Sequence, residues 1–168
     1  MGYTIFRSRW VLTDNGTKKK ARFVAQQFAG KKSANDTSFW ASTPSPVALR
    51  LALIWAAMQD CGITKTDISG AFLNAYLGEQ DRYAVEIPPE FAGDQSKVWC
   101  LRKALYGLRG APQAWQKHLG TFLGERGIVP AEGDSSAYVY KESDGVVRMI
   151  IIAHVDDLCI AGSLADRQ

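Results

Sequence analysis

The hydrophobic positions change period several times along the chain. Residues 5–12 (IFRSRWVL) and 20–28 (KARFVAQQF) flank Asp14-Asn15-Gly16. Asn-Gly suits a tight turn in which both positions take positive φ, so the segment predicts a β-hairpin with a basic tip and a basic second strand. Residues 29–43 predict an irregular loop. Ser45-Pro46 then offers an N-cap with proline at the first helical position. Val47, Leu51, Ile54, Trp55 and Met58 recur at helical spacing, which predicts a helix with this stripe in the core and Gly62 just past its end. Residues 63–68 alternate as a strand and bring Asp67 near its end, and a helical segment is expected over 69–77. Residues 83–87 predict a strand stopped by Pro88-Pro89, and 98–101 another. After the glycine-punctuated turn at 105–112 (LYGLRGAP), Pro112 opens a second amphipathic helix. Its apolar side carries Trp115, Leu119, Phe122 and Leu123, and Gly127 is its expected stop. Residues 137–141 and 146–153 predict a hairpin about Ser143-Asp144-Gly145, and 154–157 a tight turn into a strand over 158–161. Helices and strands mix with hairpins and few βαβ repeats, so the fold class expected is α+β with a mostly antiparallel sheet.

Composition adds little to this frame. The chain has 168 residues, 46% hydrophobic and 22% charged, which suits one globular domain with a real core. Its five Trp suggest large buried anchors or aromatic faces near a ligand. The net charge is only +3, but the basic residues cluster. Arg7, Arg9, Lys18, Lys19, Lys20, Arg22, Lys31 and Lys32 face a single acid, Asp14. Such an end fits a polyanion partner or a solvated, solubilising face. Cys61, Cys100 and Cys159 form no CxxC, and His118 and His154 add no ligand spacing, which argues against zinc. There is no signal-peptide h-region and no apolar run of membrane-spanning length, so the expectation is a soluble intracellular protein without membrane contact.

The chemistry concentrates at Asp156-Asp157, set between the apolar stretches MIIIAHV and LCIAG. Two adjacent carboxylates repel, and partial burial raises the penalty on their charge unless a cation compensates it. Hard divalent cations do so, and Mg²⁺ commonly takes one or two carboxylates plus substrate phosphates. Alone, the pair reads more readily as a polar turn than as a metal site. Asp67 changes the balance. A strand-borne Asp followed far downstream by a hairpin carrying Asp-Asp is the arrangement of two-metal phosphoryl transfer. An unrelated domain with a functionless turn would instead leave Asp67 far from Asp156.

The blocks KARFVAQQF (20–28), STPSPVALRLAL (42–53), KTDISGAFLNAYL (65–77), VWCLRKALYGLRGAPQAW (98–115) and HVDDLCIAG (154–162) together resemble copia-type (Pseudoviridae-like) LTR retrotransposon reverse transcriptases, in that family's motif order. The resemblance implies an RNA-directed DNA polymerase core with a fingers and palm fold, an antiparallel palm sheet with packed helices. It implies Asp67, Asp156 and Asp157 as catalytic ligands of two Mg²⁺ (Mn²⁺ as a substitute). Arg22 would contact the nucleotide triphosphate, with Lys18, Lys19 or Lys20 beside it. Phe72 would be the gate that disfavours a 2′-OH, or else a core residue. Tyr106 and Gly107 would form the turn beneath the incoming base. His154 and Arg109 would lie at primer and template, though Arg109 reads equally as a surface charge. The implied partners are an RNA or DNA template with primer, dNTP, and the rest of a Pol polyprotein. The implied location is a cytoplasmic retrotransposon particle, with the nucleus as a further compartment.

Two departures stand out. The family usually has Tyr where His154 stands, and a basic residue within Ala25-Gln26-Gln27-Phe28 is missing. Thumb and RNase H segments would follow residue 168. Residues 1–168 are therefore expected to be a fingers-and-palm piece of a longer polyprotein, whose alternative is a catalytically silent nucleic-acid-binding remnant of a decayed element.

Overall fold

A computed structural model describes residues 2–27, 41–91, 94 and 96–163. Phe28, Lys31, Lys32 and most of the expected loop lie outside the described residues. The chain divides into two compact units, Met1–Trp40 with Phe72–Trp115, and Ala41–Ala71 with Gln116–Gln168.

The first unit holds strands β1 (Thr4–Phe6), β2 (Ser8–Asp14), β3 (Lys19–Ala25), β5 (Tyr83–Glu86) and β6 (Val98–Cys100). β2 and β3 form the expected antiparallel hairpin, while β5 pairs with β1 in parallel and with β6 antiparallel. The turn is not the two-residue Asn-Gly type. Asp14 pairs with Lys19, leaving a four-residue connection over 15–18. The Asp14 carboxylate accepts the Gly16 N–H at 2.8 Å, and of this pair only Gly16 has positive φ (76°). An aromatic row runs from Trp10 to Phe23, Trp99 and Phe91, with ring centroids 5.0–5.8 Å apart. Two of the Trp thus serve as half-exposed packing faces rather than sealed anchors.

The second unit is built on an antiparallel sheet of order β4-β10-β9-β8-β7, from β4 (Gly62–Asp67), β7 (Ile128–Ala131), β8 (Asp134–Lys141), β9 (Val147–His154) and β10 (Asp157–Gly162). β9 and β10 are central and buried on both faces over much of their length, whereas β4 is an exposed edge strand. Helix α1 (Pro46–Met58) covers the face that carries Ala137, Ile152 and Cys159. On the opposite face, Gly120 of helix α3 (Ala111–Gly124) sits over the Tyr138 ring.

α1 starts as predicted, with Ser45 Oγ accepting the Ala48 N–H at 3.0 Å. Apart from half-buried Trp55, its stripe does not enter the core. Val47, Leu51, Ile54 and Met58 are exposed, and Ala52 and Ala56 are buried instead. Small alanines let the helix backbone approach Ile152 closely. The end also differs. Asp60, at φ 51°, takes the left-handed position expected of Gly62, and the Cys61 and Asp60 N–H groups bond back to Ala56 and Ala57. The expected helix over 69–77 shrinks to α2 (Ala71–Asn74), because Tyr76 leaves to bridge Lys103. Phe122 is exposed under Arg126, while Trp115, Leu119 and Leu123 are buried as expected. No helix among the described residues is long and apolar enough to cross a membrane.

Candidate active site

The three aspartates lie at one end of the second unit's sheet. β4 and β10 pair so that Asp67 stands directly opposite Asp157. Facing residues on neighbouring strands point to one side of the sheet, with Cβ atoms about 5 Å apart. On the other edge of β10, Asp157 pairs with His154, so Val155 and Asp156 alone make the turn. The Ile68 N–H donates to the Asp156 carbonyl at 2.8 Å, which ties the turn to the end of β4. Val155 takes φ 56°, a backbone conformation that a β-branched residue adopts only under constraint from its surroundings. Asp67 and His154 are exposed, and Asp156 and Asp157 are partly buried. The wide separation of Asp67 from Asp156 expected of an unrelated domain is therefore not found.

Two carboxylates directly opposite one another across a strand pair are unfavourable. The structure supplies a counter-charge that the motif reading overlooked. Lys65, two residues before Asp67 and on the same face of β4, reaches Asp157 Oδ1 at 3.0 Å. A Lys-x-Asp spacing on a strand was the available signal.

In the first unit, Arg22 and Lys20 are exposed and alternate to the same face of β3, across from Val11 and Thr13. Lys19 points to the other face and pairs with Asp14 at 3.9 Å. Phe72 packs its ring on Tyr106, with centroids 5.1 Å apart at 58°. The Tyr106 carbonyl accepts the Ala25 N–H at 2.8 Å, so the LYGLRG turn is fastened to the end of the strand bearing Arg22. Gly107 has φ 87°, and a Cβ there would overlap the Ala25 carbonyl oxygen. Gln27, in the block that lacks a basic residue, accepts the Arg109 N–H at 2.8 Å. That bond was not readable from the sequence, since it joins segments 82 residues apart.

The sequence profile described as reverse transcriptase (RNA-dependent DNA polymerase) matches residues 4–166. The chain belongs to the copia-type reverse transcriptases. It is 33% identical, over 95% of its length, to the retrovirus-related Pol polyproteins from transposons RE1 and RE2 of Arabidopsis thaliana. It is 29% identical, over 85% of its length, to that from transposon TNT 1-94 of Nicotiana tabacum. The chain spans about a tenth (11%) of the length of each of these polyproteins.

Reverse transcriptases generally work with divalent metal ions, and the donor set here suits a hard cation in type, since all three side chains offer carboxylate oxygens. The backbone register suits it too. The side chains as they stand do not form a ready cage: no three acidic, His or Cys side chains converge on one point among the described residues. Asp157 is occupied by Lys65 instead.

Proposed function

We propose that this copia-type reverse transcriptase chain is a fingers-and-palm polymerase core that adds dNTP to a primer 3′-OH on an RNA or DNA template. The observation that carries this is the register of Asp67 with Asp157, with Asp156 tied beside them by the Ile68 N–H. Asp67, Asp156 and Asp157 would hold two Mg²⁺, with Mn²⁺ as a substitute. Such ions supply positive charge that stabilises the attacking and leaving oxygens of an in-line displacement. Arg22, with Lys20 on its face of the hairpin, neutralises triphosphate oxygens through its planar guanidinium. Phe72, held by Tyr106, blocks a ribose 2′-OH, and the Tyr106-Gly107 turn supports the incoming base. His154 and Arg109 act at primer and template. The setting is a Pol polyprotein in a cytoplasmic particle, with the nucleus as a further compartment.

A second reading, a silent nucleic-acid-binding remnant, draws on the capture of Asp157 by Lys65 and on His154 standing where the family resemblance leads one to expect Tyr. Primer extension by this chain joined to a homologous thumb separates the two. Extension that disappears in Asp156→Asn supports the polymerase. No extension by either protein supports the remnant.

A further inference from the structure

We propose that Lys65 is a positioning residue for the carboxylate site: its ammonium group stands in as the counter-cation of Asp157 while no metal is bound, and metal binding must displace it. The inference rests on the proposed metal-site reading and deepens it.

Asp67 and Asp157 face each other on adjacent strands, and their repulsion would splay the end of the sheet where β4 meets β10. β4 is an edge strand, paired within the sheet to β10 on one side among the described residues, so it has little sheet pairing with which to resist. Lys65 is directly opposite Cys159 and therefore diagonal to Asp157. From that position a lysine stem reaches the carboxylate, and it does so at 3.0 Å.

The pair is built to let go. Lys65 is 74% exposed and Asp157 47% exposed in their side chains, so water screens the contact and the bond is weak. A flexible ammonium group on an exposed strand can swing into solvent when a divalent ion takes the carboxylate. A guanidinium in bidentate contact, or a buried pair, would hold far more firmly. Around the pair lies a cavity of about 490 Å³ whose lining includes Lys65, His154 and Asp157 as well as Leu49, Ile152 and Cys159. It leaves room for the displaced side chain.

Removing the ammonium group removes both a competitor for Asp157 and a positive charge that repels the incoming cation. Lys65→Gln should therefore bind Mn²⁺ roughly three- to tenfold more tightly than the unaltered chain. Lys65→Arg keeps the charge and should bind as the unaltered chain does or more weakly. The measurement is the loss of the free Mn²⁺ electron paramagnetic resonance signal on titration with protein, which needs no catalysis. Asp67→Asn marks the site, and circular dichroism verifies that each variant folds. Tighter binding in Lys65→Gln alone, abolished when Asp67→Asn is added, is the expected result. If the chain binds Mn²⁺ through Asp67 but Lys65→Gln binds equally or less tightly, the role of Lys65 is overturned and the metal site stands. If Mn²⁺ binding is absent or indifferent to Asp67→Asn, the metal-site reading falls and the role of Lys65 with it.

Discussion

Replacing Gly107 with alanine probes the point at which the LYGLRG turn meets the strand of Arg22. Two effects add. Gly107 has φ 87°, where an L-residue loses roughly 1 kcal/mol relative to glycine. The new Cβ would also run into the Ala25 carbonyl oxygen, with the Ala25 carbonyl carbon at 3.0 Å and its nitrogen at 3.2 Å. These are backbone atoms, and they are held by the 2.8 Å bond from the Ala25 N–H to Tyr106. No side chain can rotate away, so the turn itself must shift, at a cost of about 1–3 kcal/mol by analogy with overpacked cores. The sum is about 2–4 kcal/mol, a large share of a typical domain's stability. Gly16→Ala is the control, since Gly16 has φ 76° but open space around a Cβ, and should lose only about 1 kcal/mol. Urea unfolding of both variants, read by Trp fluorescence, gives the difference. If Gly107→Ala costs no more than Gly16→Ala, the close approach of turn and strand is refuted.

Further expectations concern the second unit. Leu51→Gln, on the exposed side of α1, should change stability by no more than about 0.5 kcal/mol, whereas Ala52→Leu should lose about 1–3 kcal/mol; equal effects in thermal melts would reverse the orientation given to the helix. Ser45→Ala should cost about 1 kcal/mol through the lost cap on Ala48. Burial pushes the Asp134 carboxyl up, but hydrogen bonds from Ser136 and Ser45 outweigh it and hold the net value below the ordinary range. Its contribution is present above the unfolded carboxyl's pKa near ~4 and fades as pH falls through the lower folded value, so Asp134→Asn should flatten the acid side of the stability profile. A wild-type slope there in the variant would count against it. Binding to a primer–template duplex should weaken steeply as salt rises. Lys20→Gln with Arg22→Gln should instead raise the concentration of dNTP needed for half-maximal addition; an unchanged requirement would remove those residues from the triphosphate contacts.

The sheet around the carboxylates was legible because its strands are apolar runs broken by turn residues, and because two remote aspartates each ended such a run. The helix face of α1 was not. Periodicity says which residues share a face, and both Val47-Leu51-Ile54-Met58 and Ala48-Ala52-Ala56 do so. Residue size favoured the first, but the sheet takes the second, because small residues permit close approach to Ile152. The basic hairpin was legible, yet its loop was not, since the Asp14 carboxylate captures Gly16 and lengthens the turn. At the candidate site, the motif blocks named individual residues and missed their supports. Lys65 on Asp157 left only a Lys-x-Asp spacing in the sequence and Gln27 on Arg109 left no signal; chain pairing reveals both contacts.

The central claim is that Asp67, Asp156 and Asp157 act together in templated nucleotide addition. Its most direct measurement is single-nucleotide addition to a labelled primer by the thumb-joined protein in Mg²⁺ or Mn²⁺, with each of the four dNTPs supplied alone. Addition should require the complementary dNTP, and Asp67→Asn, Asp156→Asn and Asp157→Asn should each lower the rate by roughly a hundredfold or more. Addition that persists in the Asp67→Asn and Asp156→Asn variants, or that ignores the template base, would contradict the account.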